Sequence, residues 1–117
     1  MSDIREFREF REMANKTITR DGNVDTKRFF ALDHSVYKNG AIDAKTKEML
    51  GLVASMVLRC DDCINYHIIR CKEEGTTKEE FYEIFNIALI VGGSIVIPHF
   101  RRAVIFLEEL ENIKQKK

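Results

Sequence analysis

Apolar residues recur three and four positions apart along most of the chain. That is the period of an amphipathic helix, not the alternation of a half-buried strand. Asp3-x-x-Glu6 reads as a capping box, and Ile4, Phe7, Phe10, Met13 and Ala14 follow it on one helical face. A loop at residues 19–23, with Asp21-Gly22 inside it, ends that first helix. A second helix is predicted from about Asp25, carrying Phe29, Phe30, Leu32, Val36 and Tyr37. Asn39-Gly40 stops it, because both residues tolerate the left-handed conformation of a helix C-cap.

Asp43 is a good N-cap for a third helix. Met49, Leu50, Leu52, Val53, Met56, Val57 and Leu58 cover more than one of its faces, so it is expected to be central and buried. Glu48 is the single charge at the head of that apolar run. Taken alone, it reads as a solvated carboxylate favoured by the helix dipole. A fourth helix spans residues 60–74 and ends at Gly75. Thr77-x-x-Glu80 is a capping box for a fifth, in which Phe81, Ile84, Phe85, Ala88 and Leu89 keep the helical period. Gly92-Gly93 breaks or kinks it. The run Ser94–Ile97 is rich in β-branched residues but has no strand to pair with. It reads as a connector or helix start, with Pro98 in the first turn of a last helix that carries Phe100, Ala103, Val104, Leu107 and Leu110. Lys114, Lys116 and Lys117 suit the C-terminus of that helix.

Composition narrows the function classes. A chain of 117 residues is the size of one domain, residues 1–117, and 44% hydrophobic residues suffice for a core. One Pro and six Gly are too few for an all-β chain with many tight turns. Nineteen basic residues balance nineteen acidic ones, which leaves no basic excess to neutralise nucleic-acid phosphates. The longest uncharged stretch, residues 85–100, is shorter than the roughly 20 apolar residues of a membrane span. The charged N-terminal stretch lacks an apolar signal core, so a cytoplasmic location is expected. Three Cys make no disulfide framework, and in a reducing compartment they point to redox or metal chemistry.

The informative stretch is Arg59-Cys60-Asp61-Asp62-Cys63-Ile64-Asn65-Tyr66-His67, with Cys71 four residues further on. Asp61 and Asp62 suit the first turn of the fourth helix, which puts Cys60 and Cys63 at its start. Two sulfurs three residues apart there can reach disulfide distance. Backbone N–H groups at a helix start favour thiolate, whereas Asp61 and Asp62 disfavour it. His67 lies one turn beyond Cys63 on the same face, where it can serve as a base or as the partner of a thiolate. Other readings stay open. The cysteines and His67 can be core packing. Cys60, Cys63, His67 and Cys71 also form a C-x2-C-x3-H-x3-C series that loosely resembles a zinc knuckle. On one continuous helix, however, Cys63, His67 and Cys71 span about 12 Å, too far for one tetrahedral ion. Haem attachment would need His where Ile64 stands. His34, Tyr66 and Cys71 read as structural, and His99 as a surface or interface residue.

Glu48 gains meaning beside this motif, since a carboxylate at the head of the third helix could orient His67. Glu48-x11-Cys60-x2-Cys63-x3-His67 resembles the signature of the alkylhydroperoxidase D (AhpD)-like branch of the carboxymuconolactone decarboxylase family. The resemblance covers about residues 25–110 and includes Gly92-Gly93, Pro98 and Ala103. It implies an all-α fold, a compact AhpD-like bundle of five to six helices with a central helical hairpin, in a homo-oligomer, trimer or hexamer. It further implies a thiol-dependent hydroperoxide or disulfide reductase that needs no metal or organic cofactor. Cys63 would be the attacking thiolate, Cys60 the resolving thiol, and His67 with Glu48 the proton relay. A lipoyl-type or thioredoxin-like dithiol would return the electrons.

Two departures accompany the resemblance. The peroxidases of the branch carry His directly before the second Cys, where this chain has Asp62. They are also longer, so the chain resembles the compact one-domain members. Lactone decarboxylation is disfavoured because the decarboxylase proper lacks the cysteine pair. A non-catalytic assembly module of the same fold and a zinc-stabilised helical protein are the remaining alternatives.

Overall fold

A computed structural model describes residues 4–115, in which every regular element is helical. The chain divides into two units, Met1–Lys38 and Asn39–Lys117. The first holds α1 (Ile4–Asp21) and α2 (Val24–Val36). Asp3, the expected first member of the N-terminal capping box, lies outside the described residues. The helix α1 runs into the loop expected at residues 19–23 and stops at Asp21, with Gly22 N–H donating to Ile18 O at 2.7 Å. Nothing in Thr17–Arg20 forbids helix, so the break falls at the Gly22-Asn23 pair. Asn23 is the N-cap of α2, its Oδ1 accepting from Thr26 N–H at 3.1 Å.

The expected apolar faces of this unit are only partly buried. Ile4 and Phe7 are buried, but Phe10 and Met13 are each 61% exposed. In α2 no residue is buried, and Phe29 is 68% exposed. The C-cap of α2 also differs from expectation. Tyr37 ends it in a right-handed conformation, and neither Asn39 nor Gly40 has positive φ. Asn39 instead accepts the Ala44 N–H through Oδ1 at 2.6 Å and so ties the connection to the next helix.

The second unit is a helical bundle of α3 (Ala44–Val57), α4 (Asp61–Glu73), α5 (Lys78–Gly92), one 3-10 turn (Ser94–Val96) and α6 (Ile97–Gln115). Its boundaries follow from local chemistry. Asp43 caps α3 by accepting from Thr46 N–H at 2.8 Å. Those Thr46 hydrogen bonds, side chain first, hold the Asp43 carboxyl below its ordinary range. Gly75 (φ 88°) follows the end of α4 and Gly93 (φ 83°) ends α5, both in the left-handed region that glycine enters without penalty. Thr77 and Glu80 form the capping box: Glu80 N–H donates to Thr77 Oγ1 at 3.1 Å and Thr77 N–H to Glu80 Oε1 at 2.9 Å. Pro98 sits in the first turn of α6, where its missing N–H costs nothing.

The helices α3 and α4 pack most extensively and form the hairpin at the centre of the bundle, joined through residues 58–60. The helix α5 packs on α3, and α6 on α4. Leu52 and Met56, Ile64, Ile68 and Cys71, and Phe81, Ile84, Phe85 and Ala88 face inward at helical spacing, with Ala103, Phe106, Leu107 and Leu110 from α6. Each large side chain among them contributes about 1.5–3 kcal/mol by leaving water. Phe85 stacks edge-on against Phe100 at 5.4 Å between centroids and so links α5 to α6. Among the described residues, no helix is long and apolar enough to cross a membrane.

Candidate redox site

The site starts at the turn between α3 and α4. Leu58 caps α3, and Arg59 follows with φ 62°, a left-handed conformation that non-glycine residues seldom adopt. The reversal leaves Cys60 extended (φ −103°, ψ 98°) at the N-cap position of α4. Its Sγ accepts the Cys63 N–H at 3.3 Å, the role a Ser or Asp oxygen commonly fills. Cys60 and Cys63 are joined by a disulfide, with Cα atoms 5.2 Å apart. Cys60 is half-buried and Cys63 exposed, so the bond lies where a small oxidant or a dithiol can reach it.

Further along α4 a buried polar cluster joins it to α3. Glu48 projects from α3 and is 1% exposed, so it is not the solvated carboxylate that its position at the head of an apolar run suggested. Its Oε1 lies 2.9 Å from His67 Nδ1. Its Oε2 accepts from Arg70 Nε at 3.4 Å. Glu48 is thus bridged between two α4 residues that are three apart and share a helical face. Burial favours the neutral form of Arg70, but its hydrogen bond to Glu73 and the charge of Glu48 outweigh that, and its pKa stands above the ordinary value. Arg70 therefore supplies a permanent positive charge beside Glu48. The sequence-predicted pair Glu48 and His67 is brought together. Arg70 was not anticipated, although three residues after a candidate His is a position that shares its face.

A second cluster lies at the first turn of α4. His99 Nδ1 is 2.7 Å from Asp61 Oδ1, and Arg102 Nε donates to Asp61 Oδ2 at 3.0 Å. The residue read as a surface histidine is half-buried and pairs with the carboxylate that follows Cys60. Only the docking of α6 against α4 makes this contact, so no local signal announces it.

Cys71 is fully buried in the core face of α4. Burial first, and then the charge of Glu48, push its thiol up to about 12. It stays protonated and unreactive, as a small apolar residue would. Among the described residues, no group of three or more His, Cys, Asp or Glu side chains could hold a metal ion.

Residues 26–105 match the sequence profile of the carboxymuconolactone decarboxylase family. The chain belongs to that family. A carboxymuconolactone decarboxylase family protein of Thermotoga maritima, for which a part in antioxidative response has been suggested, is 57% identical. Its crystal structure superposes with a TM-score of 0.90 over 95% of this chain and 94% of that one. A family member from Legionella pneumophila is 26% identical, with a TM-score of 0.71 over 91% of each chain. Among curated sequences, an uncharacterised protein of the cox locus of Paracoccus denitrificans is 29% identical over 83 residues, 71% of this chain and 75% of its own length. The all-α carboxymuconolactone decarboxylase fold is therefore established for this chain, and it is the frame on which Cys60, Cys63, His67 and Glu48 are held.

Proposed function

We propose that the protein is a thiol-dependent reductase that reduces a hydroperoxide, or a disulfide, through Cys60 and Cys63. The observation that carries this reading is the Cys60–Cys63 disulfide at the N-terminus of α4, one helical turn from a histidine anchored by a buried carboxylate. The suggested antioxidative part of the Thermotoga protein supports it.

With both cysteines reduced, the Cys63 thiolate attacks the outer oxygen of ROOH and the O–O bond breaks. The leaving alkoxide takes a proton from His67 and departs as ROH, while Cys63 becomes a sulfenic acid. The Cys60 thiol attacks the Cys63 sulfur, the S–O bond breaks, and water leaves with the thiol proton. The resulting disulfide takes two electrons and two protons from a dithiol, which is itself oxidised to a disulfide. His67 exchanges protons through Nε2, because Nδ1 is engaged by Glu48. Glu48, tethered in turn by Arg70, fixes the orientation of the ring. An exposed Cys63 is the natural attacking sulfur, and its place one turn before His67 favours the same choice.

The subunits are proposed to assemble into a homo-oligomer. Large apolar side chains such as Leu58 and Ile90 stand exposed on the single chain, which favours a partner surface. The electron donor would be a lipoyl- or thioredoxin-like dithiol.

The test is intact mass of the reduced protein before and after one equivalent of hydroperoxide. Loss of two hydrogens per chain, reversed by dithiothreitol, is the expected result. Cys63→Ser should abolish turnover, and Cys60→Ser should trap the sulfenic acid or a mixed disulfide. Normal turnover in Cys63→Ser would overturn the mechanism. Thiols inert to peroxide would favour the non-catalytic assembly reading.

A further inference from the structure

One residue in the hairpin contradicts its local surroundings. Gly51 lies in the interior of α3, the central helix of the bundle, with ordinary negative φ. After proline, glycine is the poorest interior helix former, and alanine the best. Nothing in the backbone conformation there requires a glycine. The explanation lies across the hairpin. A Cβ placed on Gly51 would stand 2.6 Å from His67 Cε1, 2.9 Å from Nε2 and 3.0 Å from Nδ1. All three nearest atoms belong to the imidazole, and none to the main chain of α4. The missing side chain therefore makes room for the ring, not for closer approach of the two helices.

The register agrees. Glu48, Gly51, Leu52 and Ser55 stand at positions i, i+3, i+4 and i+7 of one face of α3, and Glu48, Leu52 and Ser55 are buried there. The carboxylate that binds Nδ1 and the flat surface that carries the ring are thus one helical turn apart on the same helix. Any Cβ at position 51 must move the ring, because the other side of the contact is fixed helix. Moving the ring breaks the 2.9 Å contact with Glu48.

We propose that Gly51 is the positioning residue for His67: it forms the seat that holds the imidazole against Glu48 and so sets the direction in which Nε2 points. This rests on the relay role given to His67 above. It adds that the orientation of the ring, and not only its presence, is set by a residue with no side chain. Even a single methyl group at position 51 is incompatible with the relay.

The experiment uses four full-length proteins: wild type, Gly51→Ala, His67→Ala and the double variant. Two readouts are taken on the reduced proteins. The first is the set of imidazole NMR resonances, simple to assign because the chain has three His. The second is the pH profile of Cys63 alkylation by iodoacetamide, resolved by peptide mass spectrometry. In Gly51→Ala the His67 resonances should shift while those of His34 and His99 stay. Cys63 alkylation near neutral pH should slow by about tenfold or more, with its midpoint moved to higher pH. In the His67→Ala background, Gly51→Ala should change neither, and it should raise the thermal midpoint, since alanine then gains helix propensity without displacing a ring.

Unmoved His67 resonances in a folded Gly51→Ala protein would overturn the proposal, as would multiplicative effects of the two substitutions on alkylation. Should Gly51→Ala not fold, the double variant decides: its folding supports the seat, and its failure sinks it. The relay itself fails separately. If His67→Ala alkylates as wild type does, His67 has no role at Cys63, and the seat is then judged by the ring resonances alone.

Discussion

Two histidine–carboxylate pairs meet the helix that carries the cysteines, and they are built differently. In the first, Glu48 is 1% exposed, and both of its oxygens are engaged, one by His67 and one by Arg70. In the second, the Asp61 side chain is 42% exposed, and it binds His99 and the still more exposed Arg102. The distances are similar, 2.9 Å against 2.7 Å. Depth separates them. A charge excluded from water has no alternative partner, so losing one member leaves the others uncompensated. A charge at the surface is rehydrated, and the pair is worth about 0–1 kcal/mol. Proximity thus says little about function without burial. The pair suited to holding a proton donor in one geometry is the buried one.

The largest expected effect falls on that pair. Glu48→Gln keeps the shape but removes the charge that holds His67 and answers Arg70. Peroxide-driven formation of the Cys60–Cys63 disulfide should slow by about a hundredfold, measured by stopped-flow thiol loss. An unchanged rate would erase the distinction between the two pairs.

Next comes the third cysteine, where depth is the leading influence. The Cys71 thiol is pushed up to about 12 in the folded chain, while in the unfolded chain it ionises near its ordinary value. The unfolded state therefore loses a proton that the folded state keeps. Stability is whole below about pH 8.5, and falls as pH rises toward 12, by up to about 1.4 kcal/mol per pH unit. Denaturation of the oxidised protein across this range should show a steeper alkaline loss for wild type than for Cys71→Ala. Parallel curves would mean that the thiol is not shielded.

The smallest effect belongs to the shallower pair. Asp61→Asn or His99→Ala should cost at most about 1 kcal/mol in a denaturation midpoint and change disulfide formation less than about fivefold. A loss comparable to that of Glu48→Gln would make the surface cluster part of the machinery.

Much of the second unit was legible in the sequence. The caps at Asp43 and at Thr77–Glu80, the stop at Gly75 and the start of α6 around Pro98 are where the sequence predicts them. Each is decided by groups within four residues of one another. The placement of Cys60 and Cys63 at the start of α4 followed from Asp61 and Asp62 in its first turn. The first unit was less legible. Its apolar positions keep the helical period, but Phe10, Met13 and Phe29 are exposed on this chain, and periodicity cannot say what, if anything, a face is packed against. The pairing of Glu48 with His67 was raised by the place of Glu48 at the head of the third helix and implied by the resemblance, but its depth was not legible.

By itself, the sequence determined the six helices, most of their ends and the presence of a cysteine pair at a helix N-terminus. Those features rest on backbone hydrogen bonds and caps that span one turn. Tertiary structure decided the rest: that Glu48 is buried, that Arg70 shares it, that His99 finds Asp61 and that Gly51 lies under the His67 ring. These contacts join residues 16 to 38 positions apart. They exist only once α3, α4 and α6 dock with one rotation and one depth. That docking is set by the summed packing of the core, and no short stretch of the chain contains it.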